Sequence, residues 1–211
     1  MVGYIENFLT TDEIEWFRWY WSQLPTKIDT GQRMRSFAHY DREFFHRIRE
    51  KLSSKIQPNE EITTVNLYQD YAPGGIHSDG WIDFDKNDKM GTTYLVPIQM
   101  SEDFQTIIFQ PSSDEAVSLN AELGLGNSGL VTYKQVTRDY FDLSDEPFDK
   151  EMYDKYLTHL DYNMLRGLRV IQVQEWKLGR AMIWPRSQLH CSANFNKGAV
   201  RDTLLIATKL C

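Results

Sequence analysis

The sequence predicts a mainly β protein, a β-sandwich or jelly roll, with N-terminal helices packed on one outer face and an inserted, partly helical lobe. Three observations point there. Short runs rich in Thr, Val, Ile, Tyr and Phe ("EITTVNLYQDY", "GTTYLVPIQM", "QTIIFQP", "LRVIQVQEW", "RAMIWP", "RDTLLIATKL") are punctuated by glycine and proline, the pattern of strands separated by turns. Helical periodicity is confined to the N-terminal quarter and to one acidic stretch that interrupts the strands. A length of 211 residues, 41% of them hydrophobic and 13% aromatic, is enough for one packed domain and argues against disorder.

Taken in order, residues 2–8 read as a short strand or extended lead-in. Thr10 and Glu13 have the spacing of a capping box, so a helix starts there. Ile14, Phe17, Trp21 and Leu24 recur at helical spacing and form its buried stripe, and Pro25 ends it. A second helix is expected over about 41–53, with Phe45, Ile48 and Leu52 on one side and Arg42, Arg47, Arg49 and Lys51 on the other. That basic side reads as a solvated helix face more readily than as a phosphate-binding one. Strands follow from Glu61, with a weaker pair of short elements around the glycine turns of "SLNAELGLGNSGLVTYKQV". The acidic segment then turns helical near Phe148, where Met152, Tyr156 and Leu160 repeat every fourth residue. The strands resume at "LRVIQVQEW" and close with "RDTLLIATKL". The chain is therefore expected to form one domain over 1–211 with an insertion at about 112–165.

A formal net charge of −7 gives no bulk attraction to nucleic acid, and a polyanionic substrate is disfavoured. Cys191 and Cys211 are the only cysteines and make no disulfide framework, so a reducing, cytoplasmic compartment is expected. The N-terminal residues turn acidic early and lack the basic-then-apolar order of a signal peptide. No apolar run approaches the roughly 20 residues of a membrane span.

The stretch "NLYQDYAPGGIHSDGW" places His77 and Asp79 two residues apart behind a Pro-Gly-Gly turn. In extended backbone that spacing points both side chains to one side, where they can chelate a metal and leave the opposite face open. His190, after a strand-like run and a Pro-containing turn, supplies a third ligand. Two histidines and one carboxylate with open positions is the arrangement of non-heme Fe(II) oxygenases. Arg201 and Thr203 begin the last strand and share a face; a guanidinium there suits a carboxylate through paired charge-assisted hydrogen bonds, with the hydroxyl taking a further lone pair. His39, His46 and His159 read as helix-face or surface residues.

In the series His77-x-Asp79, His190, Arg201-x-Thr203, the sequence resembles the 2-oxoglutarate- and Fe(II)-dependent dioxygenase superfamily. "YIENFLTTDEIEWF" and "GTTYLVPIQMSEDFQTIIFQP" are similar to its prolyl-hydroxylase-like branch. The resemblance implies a double-stranded β-helix, the cupin-like jelly roll of that superfamily. It implies Fe(II) held by His77, Asp79 and His190, and 2-oxoglutarate paired through its far carboxylate with Arg201. Thr203 and a tyrosine such as Tyr68 or Tyr94 would assist, and Trp81 would wall the substrate pocket. Ile183 and Trp184 would keep the site dry. The implied reaction consumes O2, decarboxylates 2-oxoglutarate to succinate and CO2, and hydroxylates a peptide or small molecule. Demethylation of nucleic-acid bases, as in the alkylation-repair relatives, is the alternative, and a cupin-like metal protein that is not an oxygenase is a rival. Two departures stand out: a long interval between Asp79 and His190, and an extra residue between Gly198 and Arg201 relative to the superfamily's G-x-R turn. Arg186 and Arg180 are the fallback partners for the co-substrate, with Arg138, Arg166 and Arg169 behind them. The acidic segment of about 139–166, carrying Asp139, Asp142, Asp145, Glu146 and Asp149, is the expected lid or recognition element and suits a basic substrate.

Overall fold

The computed structural model describes residues 1–24, 28–29, 33–37, 42–79, 89–119 and 134–211. Strand β1 (Gly3–Ile5) leads into helix α1 (Thr11–Gln23), followed by β2 (Ile28–Asp29), β3 (Arg33–Phe37) and helix α2 (Arg42–Leu52). Then come β4 (Glu60–Asp70), β5 (Ile76–His77), β6 (Met90–Met100), β7 (Gln105–Ser112), β8 (Val117–Leu119) and β9 (Lys134–Val136). The lobe is built from a 3-10 turn (Arg138–Phe141), the short helix α3 (Lys150–Met152) widening into a π turn (Tyr153–Leu157), and a second 3-10 turn (Tyr162–Leu165). Strands β10 (Val170–Glu175), β11 (Ala181–Pro185), β12 (Gln188–Ser192) and β13 (Arg201–Leu210) complete the chain.

Among the described residues the strands form two sheets, ordered β1-β11-β6-β13-β4-β3-β2 and β10-β7-β12-β5-β8-β9. Successive strands jump between them: β4 to β5, β6 to β7, β11 to β12, β12 to β13. Adjacent strands are antiparallel except β8 and β9. Two facing antiparallel sheets wound in this alternating way are a jelly roll, the expected double-stranded β-helix.

Both sheets are covered on their outer faces. Phe17 of α1 and Ile48 and Leu52 of α2 share a buried cluster with Leu67, Leu204 and Ile206 of the seven-stranded sheet. Thr10 caps α1 as its spacing predicts, its hydroxyl accepting from Glu13 N–H while the Glu13 carboxylate accepts from Thr10 N–H. Leu24 is the C-cap, and Pro25 lies outside the described residues. On the other sheet, Phe148, Leu157, Leu160 and Leu165 of the lobe share a cluster with Ile107, Phe109 and Leu189. Met152, Tyr156 and Leu160 do lie against one apolar cluster, but the helix that their spacing predicts is only α3 and its π turn. The described part of the lobe thus backs the second sheet as the N-terminal helices back the first. No described helix is long and apolar enough to cross a membrane.

The cations of α2 are largely engaged. Arg47 pairs with Glu43, Arg49 with Glu61 and Lys51 with Glu13, while the Arg42 side chain is outside the described set. Strands β2 and β3 and the strand character of β12 were not legible from the sequence pattern.

Candidate metal centre and its carboxylate-binding wall

The site lies between the sheets and is set by the parity of four strands. On β13, Arg201, Thr203 and Leu205 face inward, while Leu204 and Ile206 face the helices. On β4 the inward set includes Tyr68 and Asp70, and on β12 it includes His190 and Ser192. His77, at the end of β5, is the direct antiparallel partner of His190. The two rings come within 4.4 Å, centroid to centroid.

The tautomers follow from the second ring nitrogens. His77 Nδ1 lies 2.8 Å from Gly75 O, and His190 Nδ1 lies 3.0 Å from Gln188 O. A carbonyl can only accept, so each Nδ1 carries the proton and each Nε2 presents its lone pair. Both Nε2 atoms face the Asp79 carboxylate, His77 at 3.9 Å from Oδ1 and His190 at 3.6 Å from Oδ2. Candidate ligand atoms of all three residues lie within 4.8 Å of one another. Two imidazoles and a carboxylate this close together form a donor set for a divalent transition metal, and three protein ligands leave further coordination positions free.

Asp79 is buried and anionic. Burial alone would raise its carboxyl; the facing rings of His190 and His77, the guanidinium of Arg186 and a hydrogen bond from Thr93 outweigh it and hold it below the usual carboxylate range. Thr93 Oγ1 donates to Asp79 Oδ2 at 2.9 Å.

The same cavity runs from this triad to Arg201. Arg201 is 3% exposed; its Nε donates to Asp70 Oδ2 at 3.1 Å, and Trp176, Phe195 and Phe104 surround its guanidinium carbon at 4.3, 5.1 and 5.4 Å. Next to it, the Thr203 hydroxyl is buried and makes no hydrogen bond among the described residues. An orphaned hydroxyl beside a buried guanidinium fits a carboxylate, which accepts from both. The cavity measures about 50 Å³, room for a few waters.

Of the residues singled out in the sequence, His77, Asp79, His190, Arg201, Thr203 and Tyr68 line this one cavity. Tyr94 does not. It sits on the outward face of β6 in the helix-covered core, its hydroxyl donating to Glu60 at 2.7 Å and accepting from Gln57 N–H at 3.0 Å. Its neighbour Leu95 takes the inward position. Trp184 lines the cavity 4.7 Å from the His190 ring, whereas Trp81 lies outside the described residues. The fallback arginines are elsewhere: Arg180 pairs with Glu6, and Arg138 and Arg166 bond within the lobe. Arg186 grips backbone carbonyls behind Asp79. Asp70, Thr93 and Ser192 were missed. Asp70 had a signal, since it shares the parity of Tyr68 on β4 and stands opposite Arg201.

No protein-family model matches the chain, and no curated protein matches it in sequence. Solved structures do match in shape. HygX from Streptomyces hygroscopicus, with nickel and 2-oxoglutarate bound, aligns with a TM-score of 0.53 at 11% identity, over 99% of this chain and 83% of that one. The non-heme α-ketoglutarate-dependent carbocyclase SnoK from nogalamycin biosynthesis aligns at 0.53 and 11%, over 99% and 79%. The α-ketoglutarate-dependent epimerase SnoN from nogalamycin biosynthesis aligns at 0.52 and 11%, over 99% and 78%. The chain therefore has the fold of the 2-oxoglutarate-dependent non-heme iron enzymes.

Proposed function

We propose that this protein is an Fe(II)- and 2-oxoglutarate-dependent oxygenase that hydroxylates a small molecule. The observation that carries the reading is the convergence of the His77 and His190 Nε2 lone pairs on the Asp79 carboxylate, in one cavity with Arg201. His77, Asp79 and His190 would hold the iron. Arg201 and Thr203 would bind the far carboxylate of 2-oxoglutarate, with Tyr68 lining the cavity beside them. The bound iron and 2-oxoglutarate would let O2 act as the oxidant, one oxygen atom entering succinate as CO2 leaves and the other entering the substrate. The chain's own part is to keep Asp79 anionic, hold both imidazoles in the Nδ1–H tautomer, and exclude water with Trp184 and Leu95.

A small molecule is favoured over a peptide because HygX is a neighbour in fold and has been seen with hygromycin B bound. The ion pairs on α2 support a solvated face there and not a nucleic-acid surface. The acidic residues of the 139–166 segment remain the proposed recognition element for a basic substrate.

Anaerobic titration of the metal-free protein with Fe(II) and 2-oxoglutarate tests this. The expected result is a visible charge-transfer band that is lost in His77→Ala and weakened in Arg201→Ala. Tight metal binding without a band would instead support a cupin-like metal protein that does not use 2-oxoglutarate.

A further inference from the structure

Arg186 is the most deeply buried cation among the described residues, 1% exposed, yet it sits in the two-residue turn joining β11 to β12. Turns normally lie at the surface, and burying a guanidinium is costly unless its donors are satisfied. Its donors are taken up by two backbone carbonyls, chiefly that of Asp79. Nε and Nη2 donate to the carbonyl of Asp79 at 3.2 and 3.0 Å, and Nη1 reaches Thr208 O at 3.4 Å. The backbone repeats the grip: Asp79 N–H donates to Arg186 O at 3.0 Å, and Arg186 N–H donates to Gly91 O at 3.2 Å. The peptide of a single residue, Asp79, is therefore held at its N–H and at its carbonyl by one arginine. From β6 of the facing sheet, Thr93 holds its carboxylate.

We propose that Arg186 is a positioning residue of the metal centre, fixing the backbone of the Asp79 ligand so that its carboxylate meets the two histidines. The assignment rests on the metal-site reading above. Position matters here because Asp79 lies beyond the end of β5, outside any strand among the described residues. His77 has its strand partner in β12; Asp79 has Arg186 in place of one. A lysine could not substitute fully, because one ammonium cannot place two donors on the Asp79 carbonyl and a third on Thr208.

The test is metal affinity, measured by titrating Co(II) into the metal-free protein without 2-oxoglutarate or substrate. The variants are Arg186→Met, which keeps bulk and removes the donors, Arg186→Lys, and Arg180→Met as a control at the surface pair with Glu6. Melting temperature is measured alongside. Arg186→Met is expected to bind Co(II) about 10- to 100-fold more weakly with an altered d–d spectrum, Arg186→Lys to lie between it and wild type, and Arg180→Met to bind as wild type. A folded Arg186→Met, or an Arg186→Lys of lowered melting temperature, that keeps wild-type affinity and spectrum overturns the assignment alone, since a merely structural role moves stability only. Failure of the wild type to bind Co(II), or undiminished binding by His77→Ala, overturns the metal-site reading and this assignment with it.

Discussion

Arg201 and Asp70 are direct partners across β13 and β4, with Nε 3.1 Å from Oδ2 and both side chains 4% exposed. The arginine assigned to an incoming carboxylate thus already has one of its own. A guanidinium can serve two carboxylates, one along its Nε edge and one across its terminal nitrogens, so the pair fixes Arg201 in place as well as neutralising it.

Removing the resident charge has opposite effects on the empty and loaded protein. Loss of one member of a buried pair costs about 3–5 kcal/mol. Asp70→Asn should therefore melt below wild type when empty. With Mn(II) in place of iron, saturating 2-oxoglutarate should raise its melting temperature by more than it raises that of wild type, because the ligand restores a countercharge. Equal ligand-induced shifts in the two proteins would rule this out.

Thr203→Val separates stability from binding in the other direction. An unmade buried hydrogen bond costs about 1–3 kcal/mol, and the Thr203 hydroxyl makes none among the described residues. The variant should be at least as stable as wild type when empty, yet bind 2-oxoglutarate roughly tenfold more weakly, a loss of about 1.4 kcal/mol. Thermal melts and the anaerobic titration check both halves. A drop in stability with unchanged affinity would refute the assignment.

His159 gives the fold a pH dependence. Burial pushes its pKa down from 6.5 to about 4; a hydrogen bond to Gly74 O opposes this, and the charge of Arg201 adds to it. The unfolded chain then binds the proton more readily than the folded one between those values. Stability is fully present above about 6.5 and is lost as the pH falls toward 4, at roughly 1.4 kcal/mol per pH unit. Denaturant midpoints for wild type and His159→Phe between pH 4 and 7 test it, the variant being expected to show the shallower slope.

Gly91 of β6 lies against Thr208 of β13. A Cβ there would lie 2.4 Å from Thr208 Oγ1 and 3.0 Å from the Thr208 backbone. Thr208 Oγ1 accepts from Thr92 N–H at 2.7 Å and donates to Glu60 at 2.9 Å. Gly91→Ala should cost about 1–3 kcal/mol by overpacking, read as a lower denaturant midpoint at unchanged slope.

The sequence carried His77, Asp79, His190 and Arg201, which the fold brings to one cavity, because each is defined by local spacing or by its place at the start of a strand. It carried the capped helix α1 for the same reason. Tyr94 shows where that legibility stops. Period-two alternation sorts β6 into two faces, but helices cover the outer face, so both are apolar and nothing local says which looks inward. Arg186 shows a second limit: the sequence offers it only as a fallback partner for the co-substrate, and only the fold brings Asp79 and Thr208 against it. The strand β12 was hidden because "SQLHCSANF" has little β-branched character; it is held by pairing with β5 and β7.

Strand β5 is two residues long, and His77 occupies its second position. A slip of one residue in a strand exchanges its two faces. The spacing of residues 71–75 therefore carries a constraint that their side chains do not. Over evolutionary drift this segment should accept many substitutions while rejecting almost any change of length, because one inserted or deleted residue would turn the imidazole away from His190 and leave the hydrophobic core nearly untouched.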